Sequence, residues 1–310
     1  MRLQFKGFCD KLSKNILLGS KRMTKLLALD IGGTFVKYGV WSKGQLGVIQ
    51  KIVTPDNYEA LVFEIEKTIA EFNLPFEGVA ISSPGVIDQE AGMVKGISAL
   101  MYLHHFEIVK DLEARLGLPV YMENDANCAG YCEMAYGSGR DSQNAVFVII
   151  GTGVGGSIFL NRESFKGSHN FAGEFGLSHT RDGKVSYAVS IVKQAVKYSQ
   201  QTGEMVDGEE LFKRKEAGDL LATELIEQFY DNLAQFLYNL LVILDPDLIS
   251  IGGGVSAQLE ISSVIEEKLL KMLAEDHLEE YLPTIKVNQF GNNANLIGAA
   301  LFFEKYKKGA

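Results

Sequence analysis

LLALDIGGTFVKYGVW, at residues 26–41, is the stretch of sequence that decides the fold. Its apolar beginning, residues 26–29, predicts a buried strand that stops at Asp30, and residues 35–41 predict the partner strand of a hairpin. The turn between the strands contains Gly32, Gly33 and Thr34. Two glycines at a hairpin tip leave backbone N–H groups bare, so a phosphate could bind there, and Asp30 could hold Mg²⁺ through water.

One glycine-rich hairpin is usually only structural, but this chain has a second one. The segment GTGVGG, at residues 151–156, lies between apolar strands predicted for residues 145–150 and 157–160. Two hairpins of the phosphate-binding type indicate two related halves that face one nucleotide.

Composition excludes several classes of protein. The chain has 310 residues, of which 46% are hydrophobic and 22% charged, so it can form two domains with a sizeable core. Its net charge of −9 argues against nucleic acid as the main partner. The longest apolar run is too short to span a membrane. Its three cysteines, Cys9, Cys128 and Cys132, have no CxxC spacing, which suits a reducing cytoplasm and gives no disulfide framework.

Residues 1–24 form a basic extension before the first predicted strand. The extension lacks an apolar block of signal-peptide length. It can be a flexible arm, a short extra helix, or the result of an upstream start codon with Met23 as the true start. We favour the last alternative, because the fold is predicted to begin at Lys25.

The next part of the chain alternates strands with helices. A third strand at residues 45–53 precedes the alternation, whose strands are predicted at residues 78–83 and 120–122 and whose helices at residues 58–72, 106–116 and 125–134. This order predicts an α/β sheet with ligands at the carboxyl ends of its strands. Asp30, Ser83 and Asn124 all lie at such ends, so we expect them to converge.

Asp125 follows a strand and opens a helix, which gives it two possible roles. The first is helix N-cap, with Asn124 as a local hydrogen-bonding residue. The second is general base, since a carboxylate at the floor of a cleft can take a proton from a hydroxyl that attacks a phosphoryl group. The two roles are compatible.

Two glycine-dense segments mark the second half. Residues 167–177, GSHNFAGEFGL, carry Glu174, which is either solvated or a ligand for sugar hydroxyls. A predicted strand at residues 248–251 runs into Gly252, Gly253 and Gly254, where an adenine or ribose could approach the backbone. Further helices are predicted at residues 187–199, 208–215, 220–244, 264–273 and 296–306.

Six motifs together resemble the ROK family of sugar kinases (repressor, open reading frame, kinase) of the actin/hexokinase/Hsp70 superfamily. They are DIGGT (30–34), SSPG (82–85), ENDAN (123–127), GTGVGG (151–156), GEFG (173–176) and DPDLISIGGG (245–254). The resemblance implies two ribonuclease-H-like α/β domains around a cleft. We assign residues 25–123 plus 293–310 to the smaller domain and residues 124–292 to the larger one.

The resemblance also implies roles for individual residues. Asp125 is carried over as the catalytic base, and sugar contacts are implied for Ser83, Gly85, Asn124, Asp125 and Glu174. ATP and Mg²⁺ are implied to lie at Asp30, Gly32, Gly33, Thr34, Lys37, Gly151, Thr152, Gly153, Gly252, Gly253 and Gly254. A homodimer is implied as well.

Departures from the family pattern concern the zinc site and the anomeric end of the sugar. Leu177 stands where the family has a histidine, and residues 180–200 contain no cysteine, so we expect no zinc site. A second glutamate of glucose-specific members corresponds here to Ser186. We therefore expect a β-glucoside or glucosyl disaccharide such as cellobiose, phosphorylated at O6. The alternatives are a glucokinase, fructokinase or N-acetylmannosamine kinase, a sugar-sensing regulator, and a catalytically inactive binding module.

Overall fold

A computed structural model of the chain describes residues 25–96 and 98–307. The predicted basic extension, residues 1–24, lies outside the described residues. The strands are β1 Lys25–Ile31, β2 Phe35–Ser42, β3 Gln45–Leu46, β4 Gln50–Val53, β5 Gly78–Ser83, β6 Val86–Asp88, β7 Met93–Lys95, β8 Val120–Asn124, β9 Ala145–Ile150, β10 Val154–Leu160, β11 Glu163–Ser164, β12 His179–Thr180, β13 Gly183–Lys184, β14 Leu248–Gly253 and β15 Thr284–Val287. The α-helices are α1 Tyr58–Phe72, α2 Ile108–Leu116, α3 Asp125–Tyr136, α4 Val185–Ala188, α5 Ile191–Thr202, α6 Gly208–Glu216, α7 Leu220–Leu244, α8 Ile261–Ala274 and α9 Ala294–Lys307.

The first sheet has the strand order β3-β2-β1-β5-β8, with β4 also paired to β2. β1, β5 and β8 are parallel, and β2 is antiparallel to β1. Because both faces of the central strand are covered, its apolar residues are continuous rather than alternating. Leu27 and Leu29 pack in a core with residues of α1 and α2, whereas Leu26 packs in a core with residues of α3 and α9.

The second sheet has the strand order β11-β10-β9-β14-β15. β9, β14 and β15 are parallel, and β10 forms the antiparallel hairpin with β9. Val146 and Val148 lie in the largest core together with residues of the long helix α7. On the opposite face, Phe147 packs in a core with Tyr131 of α3 and Phe302 of α9.

Helices α3 and α9 therefore lie between the two sheets. They approach so closely at Gly298 that a Cβ atom there would lie 1.7 Å from the carbonyl oxygen of Cys128. Only glycine fits at this position, because the side chain of any larger residue would push the two helices apart. Cys128 is in the first turn of α3, the turn that begins with Asp125.

Most predicted elements are observed, but two of them are divided, and six short strands, β6, β7, β11, β12, β13 and β15, were not predicted. The predicted strand at residues 45–53 is divided into β3 and β4, and the helix predicted at residues 187–199 is divided into α4 and α5. The hairpin β6–β7 was not predicted, because its strands are only three residues long. None of the helices in the described part of the chain is both long and apolar enough to cross a membrane.

Candidate active site

The parallel strands of the first sheet bring three polar segments to one edge. Asp30 of β1 is paired with Ser82 of β5, and Ser83 is paired with Asn124 of β8. Carboxyl ends of parallel strands meet at the same edge of a sheet, which is where α/β proteins bind ligands. The predicted convergence of Asp30, Ser83 and Asn124 at one sheet edge is confirmed.

The carboxylate of Asp30 is buried and held by three side chains. Its Oδ1 accepts hydrogen bonds from Ser82 Oγ at 2.8 Å and from Asn295 Nδ2 at 3.1 Å. Its Oδ2 lies 3.8 Å from Lys37 Nζ. The residue is only 7% exposed, so these partners offset the cost of removing the charge from water.

The adjacent hairpin tip, residues 32–34, is closed by its own backbone and by Thr54. Gly32 N–H donates to the carbonyl of Phe35 at 3.1 Å, and the Thr54 hydroxyl donates to the carbonyl of Gly32 at 2.6 Å. Gly33 and Thr34 are exposed. The tip thus presents accessible backbone beside Asp30, as a phosphate-binding hairpin requires.

The junction of β8 and α3 corrects one detail of the sequence analysis. Asn124, not Asp125, is the N-cap of α3, because its Oδ1 accepts a hydrogen bond from Asn127 N–H at 3.1 Å. Its Nδ2 donates to the carbonyl of Gly85 at 3.0 Å. Asp125 therefore does not cap the helix and is its first residue.

Asp125 occupies an environment that favours its protonated form. Burial raises the pKa of its carboxyl to about 6, and the negative charges of Asp30 and Glu174 act in the same direction. The Ala126 N–H, which donates to Asp125 Oδ1 at 2.8 Å, opposes the shift. A carboxylate with a pKa near the working pH is suited to accept a proton from a hydroxyl.

Glu123, the residue before Asn124, is buried and paired with a lysine from the second half. Its side chain is 1% exposed and its Oε2 bonds to Lys166 Nζ. Its Oε1 accepts from Asn124 N–H at 2.8 Å and from Asn127 Nδ2 at 3.2 Å. All of these groups lie beside the catalytic candidate Asp125.

A cavity of about 170 Å³ lies between the carboxyl edge of the first sheet and the glycine-dense loop of the second half. Four of the predicted sugar ligands line it, namely Gly85, Asn124, Asp125 and Glu174. Gly85 has φ +101°, and a Cβ atom there would lie 2.8 Å from Val94, so the turn requires glycine. Burial raises the pKa of the Glu174 carboxyl above its ordinary value. This cavity is called the sugar cavity below, after the ligand predicted for these residues.

A second cavity, of about 230 Å³, lies on the other side of Asp125. It is lined by the second glycine hairpin, Gly151, Thr152 and Gly153, together with Asn295 of α9. This cavity is called the phosphate cavity below, after the ligand predicted for that hairpin. Asp125, Ala126 and Gly155 line both cavities, so Asp125 lies where the two meet.

The turn of the second hairpin is shorter than the predicted one at residues 151–156. It consists of residues 151–153, while Val154 already begins β10. Gly253 of β14 lies beside Ile150 of this hairpin in the parallel pairing. It has φ +85°, and a Cβ atom there would lie 2.0 Å from the Ile150 carbonyl oxygen. Gly252 and Gly254 flank it, so the third glycine segment supports the hairpin from the neighbouring strand.

Some predicted residues lie elsewhere than the sequence indicated. Ser83 is fully buried, and its hydroxyl donates to the carbonyl of Pro84 at 3.3 Å, so it supports the turn and does not line the sugar cavity. Ser186 Oγ accepts from Val154 N–H at 3.0 Å and belongs to the support of the second hairpin. Leu177 is 48% exposed and lines neither cavity.

The residues around Asp30 fit a metal ion bound through water. Within residues 25–96 and 98–307, no cluster of three or more His, Cys, Asp or Glu side chains could hold a metal directly. Asp30 supplies one buried carboxylate whose Oδ1 is already occupied by Ser82 and Asn295. Magnesium keeps several waters when it binds with substrate phosphates, so one carboxylate suffices for it.

Sequence reasoning missed three residues of the site: Lys166, Glu123 and Asn295. Lys166 is 43 residues from Glu123, and Asn295 is 265 residues from Asp30. No local pattern indicates such pairings. The available signal was the lysine next to the glycine-dense loop, Lys166-Gly167.

The two α/β halves, with an acidic residue between a sugar-sized cavity and a glycine hairpin, define a kinase of the actin/hexokinase type. The family model described as "ROK family" matches residues 26–186 and 191–306. The chain therefore belongs to the ROK family. The predicted two-domain α/β fold class and the prediction of a carbohydrate kinase are confirmed.

Three relatives place the chain within this family. A beta-glucoside kinase from Klebsiella pneumoniae is 33% identical over 293 residues, which cover 91% of this chain and 96% of the relative. An N-acetylmannosamine kinase from Haemophilus influenzae is 31% identical over 290 residues, 89% of this chain and 94% of the relative. The crystal structure of a ROK family protein from Streptococcus pneumoniae in complex with sucrose is 31% identical, with a TM-score of 0.84, and the match covers 93% of this chain and 100% of that chain.

Proposed function

We propose that the protein transfers the γ-phosphate of ATP to the primary hydroxyl, O6, of a glucosyl unit, and that Asp125 is the base. The observation that supports this proposal is the position of Asp125, which lines both the sugar cavity and the phosphate cavity. A base for phosphoryl transfer must contact the acceptor hydroxyl while that hydroxyl faces the phosphate.

The proposed reaction is direct in-line transfer. Asp125 accepts the proton of O6, the oxygen forms a bond to the γ-phosphorus, and the bond from that phosphorus to the β–γ bridging oxygen breaks to release ADP. The backbone of residues 151–153 and of the hairpin at residues 32–34 would hold the phosphates. Mg²⁺, held through water by Asp30, would supply positive charge to the phosphate oxygens when bound.

On the sugar side, the loop of the second half would hold the acceptor. Glu174 lines the sugar cavity from the loop of the second half, and Asn170 lines it from the same loop. Asn124 has its amide engaged with Gly85 and Asn127, so we assign it chiefly to shaping the cavity. Closure of the two halves around both substrates would exclude water and so suppress hydrolysis of ATP.

For the substrate we propose a β-glucoside or glucosyl disaccharide such as cellobiose. The position of the family histidine is Leu177 and that of the second glutamate is Ser186, and neither side chain lines the sugar cavity. A site built to bind a free anomeric hydroxyl loses hydrogen bonds, and therefore affinity, when that oxygen is substituted. A site without such hydrogen-bonding groups does not incur this penalty. The relatives named as beta-glucoside kinases support the same substrate class.

The second candidate is a kinase for a free hexose, and the relative named N-acetylmannosamine kinase is the observation that favours it. Glucose belongs to this candidate as well. The two candidates differ in whether the anomeric oxygen carries a substituent.

A panel of acceptors in an ATP-consumption assay distinguishes them. We expect kcat/KM to be higher for methyl β-glucoside and cellobiose than for glucose or N-acetylmannosamine. A preference for free glucose of roughly tenfold, equivalent to about 1.4 kcal/mol of transition-state binding, would contradict the glycoside proposal. It would leave the kinase assignment intact.

A further inference from the structure

The loop of residues 165–174, called the sugar loop here, is attached to the first sheet by one buried ion pair. Lys166 Nζ of the loop bonds to Glu123 Oε2 of β8, and the two side chains are only 13% and 1% exposed. Among the described residues that line the sugar cavity, Lys166 carries the one positive charge. The pair thus links the two halves of the protein at the wall of the sugar cavity.

On the β8 side, Glu123 holds the backbone that leads into Asp125. One carboxylate oxygen accepts hydrogen bonds from Asn124 N–H and Asn127 Nδ2, while the other receives Lys166. Gln89 Nε2 approaches the second oxygen at 3.5 Å. A carboxylate buried in this way requires a compensating positive charge, which Lys166 supplies.

On the loop side, Lys166 holds the residues that line the sugar cavity. Its carbonyl accepts a hydrogen bond from Ala172 N–H at 3.0 Å, which folds the loop back on itself. Its Nζ lies 5.0 Å from the ring centroid of Phe302 in α9, within the range of a cation–π interaction. Asn170, Ala172 and Glu174, which follow in the loop, all line the sugar cavity.

We propose that Lys166 is a positioning residue that holds the sugar loop against the strand carrying Glu123 and thereby places Glu174 at the sugar. This inference rests on the proposed function, because the ligand of the cavity is taken to be a sugar. It predicts a specific kinetic signature. Loss of the ion pair should weaken the productive binding of sugar and leave the binding of ATP unchanged, since the phosphate cavity contains neither Lys166 nor Glu123.

The test compares Lys166→Met, Lys166→Arg and the double variant Glu123→Gln/Lys166→Met. Lys166→Met alone leaves a buried unpaired carboxylate and is expected to be less stable for that reason. The double variant removes both charges and isolates the loss of the attachment. We expect it to be folded and to have a KM for sugar raised roughly tenfold, with the KM for ATP changed by less than about twofold. Lys166→Arg keeps the charge and should recover most of the sugar KM.

A matched control is the ion pair of Glu163, which lies in β11 just before the sugar loop. Lys305 of α9 bonds to Glu163 of β11, and the two side chains are 40% and 69% exposed. Lys305→Met removes a lysine–glutamate ion pair between α9 and β11, which lies at the surface and not in the interior. Exposed pairs contribute little, so this control should keep both KM values near those of the wild type.

Hydrogen exchange provides a readout that does not depend on turnover. Amides of residues 165–174 should exchange faster in the double variant than in the wild type, while those of α7 should not change. A wild-type sugar KM in the double variant, equal changes in both KM values, or unchanged exchange of the sugar loop would each overturn the proposal. If the wild-type protein releases no ADP in response to any sugar, the kinase function is refuted. Hydrogen exchange of the sugar loop would then still test whether Lys166 holds that loop.

Discussion

The two cavities that meet at Asp125 differ in what lines them: charged side chains in one and a glycine-rich turn in the other. The sugar cavity is lined by charged side chains, Glu123, Lys166 and Glu174, from both halves of the molecule. The phosphate cavity is formed largely by the glycine-rich turn at residues 151–153. Side chains can be exchanged to recognise a different sugar, whereas a phosphate is the same in every reaction of this class. The difference indicates that specificity can change on one side of Asp125 while the other side stays fixed.

Replacing Asp125, the acidic residue among the three that line both cavities, should have the largest effect. Asp125→Asn keeps the size of the side chain and can still accept the Ala126 N–H bond, but it removes the base. We expect turnover to fall by roughly 10²–10⁴, because that is the usual contribution of a general base. Binding of sugar and of ATP, measured separately by calorimetry, should persist. Near-normal turnover would show that another group takes the proton.

Replacing Gly253, which lies beside the hairpin of the phosphate cavity, by alanine should have the next largest effect. In Gly253→Ala the new Cβ would lie 2.0 Å from the Ile150 carbonyl at φ +85°, so the backbone next to Gly151 must move. We expect a loss of about 2–3 kcal/mol in the free energy of unfolding, and a KM for ATP raised at least about tenfold while sugar binding is kept.

Gly218 is the matched control for Gly253, because it has nearly the same φ, +86°, with no atom within 4 Å of a built Cβ. Gly218→Ala therefore places a side chain at a similar positive φ without the collision. It should cost only about 1 kcal/mol and leave the KM for ATP unchanged. Equal losses in the two variants would mean that the contact with Ile150 does not matter.

A smaller effect concerns the contribution of Asp125, between the two cavities, to the stability of the fold. The pKa of Asp125 is raised to about 6 in the folded protein, above its ordinary value of 3.8, so the ionised form is less favourable in the fold than in the unfolded chain. The resulting penalty is absent below pH about 4, grows between pH 4 and 6, and is complete above pH 6.

Asp125→Asn removes this penalty. We expect the variant to be more stable than the wild type by about 1–3 kcal/mol at pH 8, with the difference vanishing near pH 4. Denaturant unfolding at the two pH values measures it. A variant that is less stable than the wild type at pH 8 would indicate that the ionised carboxylate is stabilised where it lies.

Elements with strong local patterns could be predicted from the sequence with their bounds. Tyr58–Phe72 and Leu220–Leu244 are observed as predicted, because their apolar residues recur at helical spacing and Asn57 and Asp219 cap them. The helix predicted at residues 187–199 failed, since Ser190 adopts an extended conformation between α4 and α5. Its buried apolar neighbours continue the helical pattern across this break.

The candidate site was predictable to the extent that its residues are local. Asp30, Asn124 and Asp125 could be recognised because each lies at or just beyond the end of a strand predicted from the sequence. The ion pair of Lys166 with Glu123 and the hydrogen bond of Asn295 to Asp30 could not, because both form only after distant segments pack. The exchange of roles between Asn124 and Asp125 at the N-cap depends on a difference of one residue in where the helix begins.

The central claim, that Asp125 is the base at the meeting point of the two cavities, is tested most directly by the pH dependence of kcat/KM for the sugar. Since the carboxylate must be ionised to accept the proton, and burial raises its pKa to about 6, kcat/KM should be level above about pH 7 and fall as the pH is lowered through 6. The residual activity of Asp125→Asn should lack this decline. A wild-type profile that stays level from pH 8 down to pH 5, or a decline that persists in Asp125→Asn, would contradict the assignment.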